Sequence, residues 1–213
     1  MSKVETITID TPSGSNTMQI GSTNTATINL GVSGDTINVP AGVTLANAGT
    51  ATGFPAGLSN ADYWNKTTDQ SISGSTNTLI TGWSQQTGRG GAGGELGSGL
   101  TESSGIFSFS SSGIWYVSSW FRTVRNGNTR YMNLSLEVTL DNSNYNVLGF
   151  GSGQMNYSGN DGVSQVDASA LIDCTDTSNV KFKFTFTPDN TTTIEGDGSY
   201  TQSGLIAMRL GDT

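Results

Sequence analysis

The chain has 213 residues, 12% of them charged, and a net charge of −8 from nine basic and 17 acidic side chains. Nine scattered cations form no basic stripe, which excludes a nucleic-acid footprint as the organising feature. The lack of histidine excludes Ser-His-Asp and Cys-His catalysis and the commonest transition-metal ligand, and the single Cys174 excludes an internal disulfide.

The first residues, "MSKVETITID", contain no signal-peptide core, and no apolar run reaches membrane-spanning length. Synthesis in a host cytoplasm is therefore expected, with no membrane insertion. Short apolar-x-apolar units follow: "ITI" at 7–9, "MQI" at 18–20, "INL" at 28–30, "INV" at 37–39 and "VTL" at 43–45. In each, both apolar side chains point to one face of a short strand. Turn residues separate them, as in "DTPSGSN" and "GVSGDT". Strands this short bury too little to stand alone, whereas three copies wound together would bury the pairs around one axis. We expect a trimeric β stalk over residues 1–57, with a linker at "AGTATGFPAGLSN".

From residue 58 the strands lengthen. "GIFSFSSSGIWYVSSWFRTV" predicts two strands broken at "SSSG". "RYMNLSLEVTL" predicts a strand with Met132, Leu134, Leu136, Val138 and Leu140 on one face. "NYNVLGFGSGQMNY" and "GVSQVDASALIDC" follow. In "NVKFKFTFT", Phe182, Phe184 and Phe186 share a face and Lys181 and Lys183 the other. The last strand lies in "YTQSGLIAMRL", with Leu205 and Ala207 on one face and Ile206, Met208 and Leu210 on the other. Half-buried antiparallel strands with turns about every ten residues predict an all-β sandwich over residues 58–213.

The order of these strands resembles the C1q/TNF-like jelly roll. "FSFSSSGIWYVS" is similar to that family's "F…sGxYyvs" signature, "SALIDCTDTSNVKFKF" to its middle pair of strands, and "SGLIAMRLGDT" to its closing strand. "ITGWSQQTGRGGAGGELGSGLTESSGIFSF", the terminal "RLGDT" and the repetitive N-terminal part resemble bacteriophage virion proteins of the fibre and decoration type. The resemblance implies a trimer with the last strand in the inner sheet, near the three-fold axis. It places Gly113, Trp115 and Val117 on the family's "GxYxF" positions and Gly204 and Leu205 on its closing "SGF". Trp115, Val117, Gly204, Leu205 and Ala207 are the resulting candidates for trimer core or interface. The family's calcium sites have no clear counterpart.

Other motifs are weaker. "GRGGAG" at 88–93 matches G-x-G-x-x-G but has no helix after it, so a flexible loop explains it. Asp173 and Asp176 flank Cys174, and Asp189, Glu195 and Asp197 cluster in "PDNTTTIEGDGSY". Paired carboxylates could serve a glycosidase or a hard cation, yet neither spacing is diagnostic and turn-capping explains both. Cys174, in an apolar run, reads as a small buried side chain. Tyr145 and Tyr157 lie near turns and are candidates for an outer contact surface. No catalytic residue, metal ligand or cofactor is assigned. The expected protein is a non-enzymatic virion component, a homotrimer anchored to other capsid or tail proteins through residues 1–57. The alternative is a receptor-binding fibre tip that recognises a host-surface glycan or protein.

Overall fold

The computed structural model describes residues 33, 36–38, 40–43, 58–86, 94–156 and 161–213. The chain divides after Phe54, and the second unit, Pro55–Thr213, holds every strand described. Most of the expected stalk, together with "GRGGAG" and Tyr157, lies outside the described residues. Of the pieces that are described, 36–38 is irregular backbone and Pro40–Val43 is a turn closed by a hydrogen bond from Val43 N–H to Pro40 C=O (3.2 Å). Ile37 and Val43 are both exposed.

Thirteen strands and no helix are found among the described residues. They are β1 (Asn60–Lys66), β2 (Gln70–Ile72), β3 (Thr78–Leu79), β4 (Trp83–Gln85), β5 (Thr101–Ser103), β6 (Ile106–Ser108) and β7 (Gly113–Asn126), then β8 (Thr129–Thr139), β9 (Tyr145–Met155), β10 (Asp161–Cys174), β11 (Lys181–Pro188), β12 (Thr192–Ile194) and β13 (Gly204–Gly211). They form one seven-stranded and one six-stranded sheet.

The long β7 is the spine of the first sheet. One of its edges pairs with β10 throughout, from Asp161↔Asn126 to Cys174↔Gly113. Its other edge is shared, β13 pairing along Ile114–Trp120 and β12 pairing with Thr123 and Val124. Beyond β13 come β1 and then β4, and beyond β12 comes β2. In the second sheet β11 pairs with β8 on one edge and with β6 and β3 on the other, and β9 lies outside β8. Every pairing is antiparallel.

Period-two alternation explains the core. Phe182, Phe184 and Phe186 from β11, Met132, Leu134 and Leu136 from β8, and Trp115, Val117 and Phe121 from β7 are fully buried between the sheets. Phe107 and Phe182 stack at 5.0 Å, while Trp83 meets Phe107 and Phe121 edge-on. Each such side chain contributes roughly 1.5–3 kcal/mol through burial.

Two local features depart from the alternation. Leu140 does not join the β8 face; it is 70% exposed. The strand ends at Thr139 because the Asp141 carboxylate accepts the Ser143 and Asn144 N–H groups (2.9 and 2.7 Å) and so closes a turn. In β1 the core-facing positions carry charges. Asp62, 2% exposed, accepts the Trp64 indole N–H (2.7 Å), the Leu100 N–H (2.7 Å) and the Gln85 amide (2.9 Å). The buried Lys66 ammonium donates to Thr81 C=O (2.8 Å). With these partners two charged groups are accommodated inside a sheet.

Candidate functional site

The two outward sheet faces differ in chemistry. On the second sheet β8 and β11 show polar side chains, Asn133, Ser135, Glu137, Lys181, Lys183 and Thr187, and β9 sets the exposed Val147 and Phe150 beside Glu137 and Ser135. Lys183 Nζ is 3.3 Å from Glu137, whose carboxylate also accepts the Thr185 hydroxyl (2.6 Å), and the same ammonium lies 4.1 Å above the Tyr145 ring.

The first sheet presents apolar and aromatic side chains. Ala61, Met208, Tyr116 and Leu171 line up across β1, β13, β7 and β10 in one register row. In the next row Tyr63 and Ile206 sit side by side, and Tyr63 stacks on Trp120 at 5.8 Å. Toward the chain end, Ile114 and the exposed Leu210 extend the surface. At its other limit the 195–203 loop crosses the face on polar ties. Asn65 donates to Asp197 C=O (2.7 Å), Arg122 N–H donates to the Ser203 hydroxyl (3.0 Å), and the Arg122 guanidinium pairs with Glu195 and Gln202.

A second apolar surface runs along the edge where β9 and β10 meet. These strands belong to different sheets and do not pair, yet Gly149, Gly151 and Gly153 lay β9 directly on β10. A Cβ at Gly149 would stand 2.7 Å from Ser169 C=O, and one at Gly151 would strike Asp167 C=O. Around this seam Val147, Leu148, Phe150, Val163 and Leu171 are all more than half exposed. Past Gly149 the spacing that glycine allows ends at Leu148, where β9 also bulges against β8. There the sheets part around a pocket of about 380 Å³. Its apolar lining includes Val138, Leu140, Leu148, Leu171 and Ile172.

The sequence-derived residues fall as follows. Trp115, Val117, Leu205 and Ala207 are completely buried within one chain, and Gly204 is buried beside the Trp64 carbonyl and Trp120. The first four build the sandwich core, while Gly204, in register with Trp120, lies on the outward side of β13. Their strand neighbours Tyr116, Trp120, Ile206 and Met208 carry the outward surface. Alternation indicates two opposite faces, but it does not say which one meets the other sheet. Tyr145 lies on the polar sheet, half-covered by Lys183.

The carboxylate clusters are occupied locally. Asp176 accepts the Ser178 N–H (2.8 Å), which holds its pKa below the usual range, and also the Asn179 amide. Asp189 takes a two-point hydrogen bond from Arg130, which lowers its pKa. Glu195 pairs with Arg122, and Asp197 caps the Ser199 and Tyr200 N–H groups. Among the described residues, no three of His, Cys, Asp or Glu converge as a metal site would require. Cys174 is buried, and burial pushes its thiol up to about 11, with Asp176 and Asp173 adding to the effect. A thiol of that kind is not a poised nucleophile.

No protein-family model and no curated protein matches the chain. Among solved structures it is similar to Eiger TNF from S. frugiperda, with a TM-score of 0.55 at 11% identity over 72% of this chain and 93% of that one. Murine APRIL at pH 5.0 superposes with a TM-score of 0.50 at 11% identity, over 71% and 98%. The PRD1 vertex protein P5 gives 0.43 at 20% identity, over 73% and 100%, too loose a superposition to carry an argument. The first two likenesses show the fold: the strands from β1 to β13 form a TNF-like jelly roll.

Proposed function

We propose that this chain is a non-enzymatic structural protein of a bacteriophage virion. It forms a homotrimer in which residues 1–57 make an anchoring stalk and residues 58–213 a projecting knob. The observation that carries the trimer is the grouping of half-buried apolar and aromatic side chains on the outward face of the first sheet: Tyr63, Tyr116, Trp120, Ile206 and Met208, with the exposed Leu171 beside Tyr116. A contiguous apolar surface on a protein of this size calls for a covering partner.

Further apolar side chains are exposed around the β9/β10 edge, Val163 and Leu171 on the first sheet and Val147 and Phe150 on the second. A face and an edge that differ from each other associate heterologously, and heterologous contacts that close make rings. The stalk supplies a second reason for three copies, because its short rungs need neighbours to bury them. The virion assignment is supported by the resemblance of the N-terminal units and the closing "RLGDT" to phage fibre and decoration proteins.

Sedimentation equilibrium of the full chain tests the trimer, with an expected mass three times the 22.2 kDa chain. A mass of 22.2 kDa across the micromolar range would overturn it. A density map of the intact particle tests the location, since the knob should project from a three-fold-compatible site. Normal host adsorption by particles lacking the knob is expected of a decorating role. Its loss would favour a receptor-binding tip.

A further inference from the structure

From the geometry we infer that the pocket at the end of the β9/β10 seam is a socket for Leu210 of a neighbouring copy of this chain. The inference rests on the trimer reading and adds a specific contact to it.

The pocket has the character of an unfilled core position. Its floor is Val138 and Ile172, both buried residues that face the space between the sheets. Its walls are Leu140, Leu148 and Leu171, all more than half exposed. It opens because Leu148, unlike the three glycines of the seam, cannot lie against the β10 backbone. An apolar hollow of about 380 Å³ has room for one aliphatic side chain with its flanking backbone.

Leu210 is the matching protrusion. It sits at the end of β13, where the pairing with β7 bulges between Arg209 and Gly211, and it is 55% exposed. Arg209 beside it is tied down by bonds to Ser112 C=O (2.8 Å) and Asp212. The ties hold the strand end in place, so little flexibility is lost when Leu210 is captured.

Symmetry supplies the address. Met208 pairs with Tyr116, which pairs with Leu171; Gly211 pairs with Ile114, which pairs with Asp173. Leu210 is therefore level, along the strand direction, with the Leu171–Asp173 wall of the pocket. Rotation about an axis parallel to the strands preserves that height, so each Leu210 meets its neighbour at the level of the pocket. Within one chain the two sites are separated by β7, about 10 Å at two strand spacings, too far for self-capture.

Cysteine pairing tests this directly. A chain carrying Leu148→Cys and Leu210→Cys is oxidised and run on a denaturing gel beside each single variant. Both positions are exposed, so the substitutions should be tolerated, and the buried Cys174 stays out of exchange. The same samples, unoxidised, are weighed by sedimentation. A covalent trimer from the double variant, with the single variants uncrosslinked, is the expected result. A sedimenting trimer that does not crosslink would overturn the socket and leave the trimer standing. Crosslinking of Leu210→Cys alone would mean a like-to-like contact and would also overturn it. A monomer would overturn both. As a second measurement, Leu210→Asp should lower trimer affinity at least tenfold, while Leu210→Met should not.

Discussion

Trp115 and Trp120 lie five residues apart on one strand and face opposite ways. Trp115 is sealed in the core, its indole N–H donated to Ser111 C=O (3.1 Å) and its ring 5.2 Å from Phe109. Trp115→Ala should cost roughly 3–5 kcal/mol of folding stability, read as a fall in the urea midpoint. Trp120→Ala should leave the folded chain nearly intact and weaken assembly instead, read as a rise in the trimer dissociation constant. If the two variants behave alike, the assignment of faces is wrong. Lys66 gives a pH signature. Burial pushes its ammonium down to about 8 from 10.5, with Asp69 opposing that shift. Between those values the unfolded chain binds more protons than the folded one, so this group makes stability rise with pH. Below about pH 8 the full penalty is present, at most about 3 kcal/mol. Relative to Lys66→Met, the parent should therefore gain stability between pH 8 and 10.5; taking the difference removes the opposing titration of Cys174. These charges are also where sequence reading fell short. In "NADYWNK" the inward positions of β1 include Asp62 and Lys66, so the hydrophobic alternation that marks a strand is absent. Their partners come from Thr81, Gln85 and Leu100, which no local pattern connects to them.

At the level of elements, the long strands were legible and the short ones were not. β7, β8, β10 and β11 alternate over eight or more residues, and these four and β13 follow the predicted runs. Strands of two or three residues, such as β3 and β12, exist because a long neighbour offers them a free edge. The closing strand shows what its two-sided apolarity meant: β13 lies between β1 and β7, with the core beneath and the aromatic face above. Deleting "GLIAMRLGDT" should abolish the fold itself, since it removes the strand that pairs β1, and through it β4, with β7. Deleting "GDT" should shift the melting temperature by only a few degrees. A ten-residue truncation with a parental melt would show that the strand is peripheral. The seam between β9 and β10 makes a contrasting claim. Gly151→Ala drives a methyl into Asp167 C=O and should cost about 1–3 kcal/mol. Gly211→Ala meets nothing within 4 Å and should be far milder. Equal effects in chemical denaturation would mean that the seam is not tight.

For the molecule as a whole, the size of the core predicts autonomy. Residues 58–213 should melt cooperatively without the first 57, whereas the 1–57 peptide should show no cooperative transition at low concentration. Calorimetry of both pieces checks this. A cooperative melt of the peptide alone would remove the reason to ascribe its folding to association. The strand registers also have a practical consequence. Asn60 pairs with Arg209, so the chain enters and leaves the jelly roll at one pole. The hairpin between β7 and β8, Asn126–Thr129, lies at the opposite pole, beside Asp161. A peptide fused after Thr213 would therefore crowd the side from which the chain arrives. The same peptide inserted at Gly127 would stand at the pole away from both strand ends. For anyone displaying foreign epitopes on the jelly roll, Gly127 and the C-terminal strand end offer two addresses at opposite poles.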